Sequence, residues 1–128
     1  MSKEHCGMYQ LEDLEAWKKA RAFRIEMSKL VKTFPKEEKF RLVDQLIRAS
    51  RSIAANIAEG HGRFHFQENI QYCRQARGSL TECLEHLICA LDEGYISTEI
   101  LKKVRPLYDE LLKIFNGYIL YLKKQKEK

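Results

Sequence analysis

The chain has 128 residues, 45% hydrophobic and 32% charged, with 23 Lys and Arg against 18 Asp and Glu for a net charge of +5. That is the size of one domain with its own apolar core, which excludes bulk disorder. Only 6 Gly and 2 Pro leave too little turn chemistry for an all-β sandwich, and the mild positive charge permits an anionic partner without requiring one.

The N-terminal stretch Met1–Gln10 is polar and lacks an apolar signal-peptide core. No window approaches 18 uninterrupted apolar residues. A cytoplasmic protein with no membrane association is therefore expected. Four cysteines, Cys6, Cys73, Cys83 and Cys89, form no C-x-x-C pair, and free thiols are expected for them.

The first predicted helix covers about 14–33. Ala16, Ala20, Phe23, Met27, Leu30 and Phe34 recur at steps of four and three, which is one helical face. Asp13 is its expected N-cap. Phe34-Pro35 ends it, because the residue before proline avoids the α region. The second predicted helix covers about 38–59, with Gly60 as C-cap. Its apolar positions are Phe40, Leu42, Val43, Leu46, Ile47, Ala49, Ile53, Ala54 and Ile57. The opposite strip carries Arg41, Gln45, Arg48, Ser52, Ala55 and Glu59, turning small toward its C-terminal half. Gly60-His61-Gly62-Arg63 reads as a glycine-punctuated loop.

The third predicted helix covers about 67–92, with a core stripe of Cys73, Ala76, Leu80, Leu84, Leu87 and Leu91. Gly78 lies off that stripe, beside Glu82, Glu85 and Cys89; a glycine there either admits another backbone or is merely tolerated. Gly94 is expected to close this helix and Ser97 to cap the next. The fourth covers about 97–123. Leu101, Val104, Tyr108, Leu111, Phe115, Tyr118 and Leu122 form one apolar line, and Ile100, Leu107, Ile114 and Tyr121 a second beside it. Two lines exceed what one packed face needs, so subunit contact is expected as well. Lys123–Lys128 reads as a frayed, charged tail. Together these segments predict a single all-α domain over 1–128, an antiparallel up-down four-helix bundle.

Little in the chain suggests catalysis or metal binding. His61 and His65 have the spacing of two ligands on one helical face, but the glycines around them argue for a loop. Cys83, His86 and Cys89 rotate too far around a helix to chelate together, and read as core cysteines with a surface histidine. No Glu-x-x-His pair is present, so the ligand set of a di-iron bundle is missing. No phosphate-cradling glycine loop follows a strand. The expectation is a non-enzyme with no catalytic residue, no cofactor and no metal. Basic residues are more suggestive. Lys18, Arg21, Arg48, Arg51, Arg63, Arg74 and Arg77 are candidate nucleic-acid-binding residues, able to hold phosphates by charge and bidentate hydrogen bonds. The competing reading is a solvated charged surface in which arginines pair with Glu59, Glu82 and Glu85. Ser52, Ala55, Gly78, Tyr118 and Tyr121 are candidate oligomer-interface residues.

The run Gln45-Leu46-Ile47-Arg48-Ala49-Ser50-Arg51-Ser52-Ile53-Ala54-Ala55-Asn56-Ile57-Ala58-Glu59-Gly60 carries a family resemblance. So do Ala76-Arg77-Gly78-Ser79-Leu80-x-Glu82 and the opening Asp13-Leu14-x-x-Trp17-x-x-Ala20, with Phe34-Pro35 and Gly94-Tyr95-Ile96. Over about 11–122 the chain resembles the four-helix bundle proteins encoded by intervening sequences within bacterial 23S rRNA genes. Distant relatives are the accessory proteins of diversity-generating retroelements. The resemblance implies a ring-like homopentamer associated with structured RNA or other nucleic acid. The retroelement relatives add a reverse transcriptase as a protein partner, and a scaffold that docks such a partner or a ribosomal component is the alternative. No catalytic residue comes with the family. Five subunits at +5 each would sum to about +25 and focus their field in a central channel. Asn56 is expected to fix the turn into Gly60.

Overall fold

Residues 10–128 are described by the structure, a computed structural model. Four helices carry the chain: α1 (Glu15–Leu30), α2 (Leu42–Gly62), α3 (Phe66–Asp92) and α4 (Thr98–Glu127). Short 3-10 turns occupy Leu11–Asp13, Val31–Thr33 and Lys36–Glu38, and no described residue lies in a strand. Each helix packs beside the next, and α4 returns beside α1. Connections as short as residues 63–65 and 93–97 force neighbours to run antiparallel. The protein is thus an all-α, up-down four-helix bundle.

The helices form where the apolar period is 3.6 residues, and they bury the stripes that period defines. Ala16, Ala20, Phe23 and Met27 of α1 meet Leu46, Ile53 and Ile57 of α2, Cys73, Leu80 and Leu87 of α3, and Leu111 and Phe115 of α4 in one core. Burying each larger side chain is worth about 1.5–3 kcal/mol. Two ends of the helices are capped as the sequence predicts. Gly94, at φ +79°, closes α3. Its N–H bonds to Leu91 O and that of Tyr95 to Ala90 O, the paired bonds of a left-handed C-cap. Ser97 Oγ accepts from the Ile100 N–H at 3.2 Å and starts α4.

Other boundaries differ from expectation. Asp13 does not cap α1: it lies in the preceding 3-10 turn, and Leu14 takes the cap position with no side-chain bond. The start of α2 is delayed to Leu42, and Phe40, expected in the core, is 83% exposed in the turn before it. Glu38 does the capping there, accepting from the Leu42 N–H at 3.2 Å through Oε1. Its other oxygen accepts from Tyr95 Oη at 2.7 Å and from Arg41 at 3.2 Å. That carboxylate ties the start of α2 to the α3–α4 turn.

Gly60 is not a C-cap, and Gly60–Gly62 is not a loop, for α2 continues through both. The turn falls instead at Arg63–His65, with Phe64 at φ +54°. Lys123–Glu127 is helical rather than frayed, because α4 runs on beside the start of α3, where Lys126 Nζ bonds to Gln67 at 2.6 Å. Pro106, which the periodicity of α4 overrides, sits inside the helix on its solvent side, where water can satisfy the carbonyl stranded one turn back.

Candidate nucleic-acid interface

The basic residues divide by which flank of each helix they occupy. On α1, Lys19 reaches Glu110 of α4 at 3.6 Å, which marks the flank turned toward α4. At 100° per residue, Arg21 and Arg24 fall on the other flank, toward α2. On α2, Ser52 meets Ser79 of α3 at 2.9 Å, which marks the α3 flank. Arg51 falls on the opposite flank, toward α1. Arg21, Arg24 and Arg51 therefore line the outside of the α1–α2 seam, with Lys18 and Arg48 on its outer edges. Arg48 is paired within its own helix, Nε to Asp44 at 2.9 Å. Arg21, exposed, has its guanidinium carbon 5.9 Å from the centroid of the Trp17 ring. Among the described residues, Lys18, Arg21, Arg24 and Arg51 make no ion pair with any carboxylate.

The remaining candidates lie elsewhere. Arg63 is in the α2–α3 turn, held by Glu59 at 3.1 Å and Tyr72 Oη at 2.8 Å. Its guanidinium stays firmly charged, its pKa raised chiefly by Tyr72 and then by Glu59. Arg77 bonds across to Asn116 of α4 at 2.8 Å, and Arg74 is exposed on the α3 flank nearest α4. Of the carboxylates considered as arginine partners, Glu59 takes Arg63, and Glu82 takes the side chain of His86 at 3.2 Å. Arg24 belongs with Arg21 by phase alone, three residues on, a signal present in the sequence but outside the candidate set.

Of the small candidates, Ser52 alone lies in the seam between α2 and α3. Ser52 is half-buried; its Oγ accepts from Ser79 and from Asn56 Nδ2 at 3.0 Å. Asn56 also donates to the Ser52 carbonyl at 2.9 Å, so it braces α2 rather than fixing a turn. The close approach is made at buried Gly60, where a Cβ would stand 2.6 Å from Asn69 Oδ1 and 2.9 Å from Tyr72 Cβ. Asn69 in turn donates to Tyr118 Oη at 3.1 Å, joining α3 to α4. Tyr118 lies parallel to the exposed ring of Tyr121, centroids 6.4 Å apart. Ala55 is exposed, and Gly78 is exposed with nothing within 4 Å of a Cβ built there.

The thiols do not form a reactive centre. Cys73, Cys83 and Cys89 are free, and Cys6 lies outside the described residues. Burial pushes Cys73 and Cys83 up to about 12. Cys89 is exposed, not in the core as expected; its thiol is raised by partial burial and then by Glu93, Glu85 and Asp92. His61 ends up in the last turn of α2 and His65 at the N-cap of α3. No group of three or more metal-ligating side chains occurs among the described residues. None of their helices is long and apolar enough to cross a membrane.

A family model, the 23S rRNA-intervening sequence protein, matches residues 12–117. The chain belongs to that family. Among solved structures it is similar to a protein of unknown function from the S23 ribosomal protein family of Bacteroides thetaiotaomicron. The two share 24% identity at a TM-score of 0.74, over 81% of this chain and 97% of that one, a likeness of fold. A search of curated proteins finds no match. The family and its bundle are those the sequence motifs imply.

Proposed function

We propose that this member of the 23S rRNA-intervening sequence family is a non-enzymatic homo-oligomer, a pentamer, that binds structured RNA through phosphate contacts along the α1–α2 face. The observation that carries the reading is a group of cations there that make no ion pair among the described residues: Lys18, Arg21, Arg24 and Arg51, with Asp44 already matched to Arg48. Phosphate neutralisation by such a group releases counterions, and repetition around an oligomer multiplies it. Sequence is not read by such contacts. Self-association is supported by the apolar surface the bundle leaves uncovered on α4, where Leu107, Leu120 and Tyr121 are 39%, 54% and 47% exposed.

The test is anisotropy of a labelled structured RNA from low to physiological salt, with the protein's mass measured in parallel by sedimentation. Binding should weaken linearly in log–log form, and Arg21→Glu with Arg51→Glu should flatten that slope. A monodisperse monomer, or no binding at low salt, would reject the corresponding half of the proposal. A second reading, a scaffold that docks a protein partner, rests on the same exposed apolar surface of α4. It is favoured if the mass is oligomeric and RNA does not bind. Native thiols slow to alkylate at Cys73 and Cys83 would argue against a thiol enzyme.

A further inference from the structure

The α2–α3 turn assigns its conformations against expectation. Gly62, which could take a left-handed backbone freely, is helical, while Phe64 two residues on is held at φ +54°. A bulky L-residue there costs on the order of the left-handed penalty that glycine avoids. Nor is the ring taken into the core in return, for it stays 49% exposed. Strain and exposure together are not explained by the packing of the bundle. The turn is tied to both helices, since Arg63 is held by Glu59 and Tyr72 and lies 5.2 Å from the Tyr72 ring. Cations stand at the same end of the bundle: Lys126 reaches Gln67 in the first turn of α3, and Lys123, exposed, lies about 60° around α4 from it.

We propose that Phe64 is a stacking platform for an unpaired nucleobase, presented by the α2–α3 turn, with Lys123 and Lys126 of α4 neutralising nearby phosphates. The inference rests on the nucleic-acid reading above and adds to it the class of substrate, a loop or single-stranded segment rather than a continuous duplex. Base–aromatic stacking is tolerant of sequence and needs one exposed π-face beside a basic groove. A half-exposed ring on a turn braced by Arg63, with cations at the same end of the bundle, fits that need.

The experiment compares the full chain with Phe64→Asn, Phe64→Trp and Arg21→Glu/Arg51→Glu, using a hairpin RNA with an unpaired loop, a blunt RNA duplex and a single-stranded DNA of the loop sequence. Asparagine accepts a left-handed backbone, so Phe64→Asn should melt no lower than the parent, which separates lost binding from lost folding. It should bind the hairpin about tenfold or more weakly and the duplex unchanged, while Phe64→Trp keeps hairpin affinity. The same loss on single-stranded DNA would support stacking and show that the sugar is not read; an effect confined to RNA would assign the base to RNA. Equal hairpin binding by the parent and Phe64→Asn, with the double arginine variant weakened, would overturn the stacking site alone. If the parent binds none of the three at low salt, both proposals fall.

Discussion

Two of the bundle's four seams are built differently. Between α2 and α3, small and polar side chains do the work: Ser52 bonds to Ser79, and Gly60 brings α2 against Asn69 and Tyr72. Between α1 and α4 the helices stand further apart. Clefts of about 230 and 260 Å³ open along that seam, lined by Phe23, Met27, Leu107 and Val104, among others, with Lys19–Glu110 across the rim at 3.6 Å. Removing side-chain volume lets two backbones approach until hydrogen bonds can form, and fixes their register. Leaving volume in place holds helices apart and relies on non-directional apolar contact. The first seam should thus be intolerant of added atoms and the second forgiving.

The sharpest way to break that contrast is to add one methyl group at two glycines. At Gly60 the new Cβ would press on Asn69, whose amide is already committed to Tyr118 and whose Oδ1 accepts from Cys73 Sγ at 3.5 Å. Overpacking of this kind outweighs the helix-propensity gain of alanine, so Gly60→Ala should lose on the order of 2 kcal/mol in urea unfolding. At Gly78 the space is open, and the same substitution should gain about 0.5–1 kcal/mol. If Gly78 meets a neighbouring subunit, the gain in monomer stability will be accompanied by a loss of assembly on sedimentation. Equal effects at the two glycines would refute the close-approach account of the α2–α3 seam.

A smaller effect tests the polar tie at the other end of α2. The Tyr95 hydroxyl, then the Leu42 N–H, hold Glu38 below its ordinary pKa of 4.5, and the Glu38 hydrogen bond pushes Tyr95 up to about 12. A carboxylate lowered in the folded state contributes stability above its unfolded pKa and loses it as pH falls through the folded value. The urea midpoint should therefore drop as pH falls below about 4.5, and Tyr95→Phe should shrink that drop while leaving the slope between pH 6 and 8 unchanged. A midpoint with the same acid dependence in both proteins would show that other carboxylates set it.

The four helices are legible in the sequence because burial imposes a period, and α1, α3 and α4 keep that period over many turns. The α2–α3 junction is not, because glycine serves two ends. Gly60 reads as a stop, yet the residue that decides its role is Asn69, beyond the turn and invisible to a local window. Phe40 fails for the related reason that an apolar phase carries no sign of where a helix starts; Glu38 sets that start through a bond to Leu42 and a tether to Tyr95. Among the basic residues, phase within a helix could be read. Convergence between helices could not, since Arg21 and Arg51 come to one face only once α1 lies beside α2, while Arg77 is drawn to Asn116 on the far side.

The smallest effect concerns the open seam. Lys19 and Glu110 are 40% and 52% exposed at 3.6 Å. An ion pair in water recovers little after side-chain entropy and screening, typically 0.2–1 kcal/mol. Lys19→Ala should lower the unfolding free energy in urea by no more than about 0.5 kcal/mol, and about 0.5 M salt should erase the difference. The apolar lining of the clefts would then be what holds α1 to α4. A loss several times larger, insensitive to salt, would mean that the lysine stem covers Phe23 and Leu107 and that its methylenes, rather than its charge, close the seam.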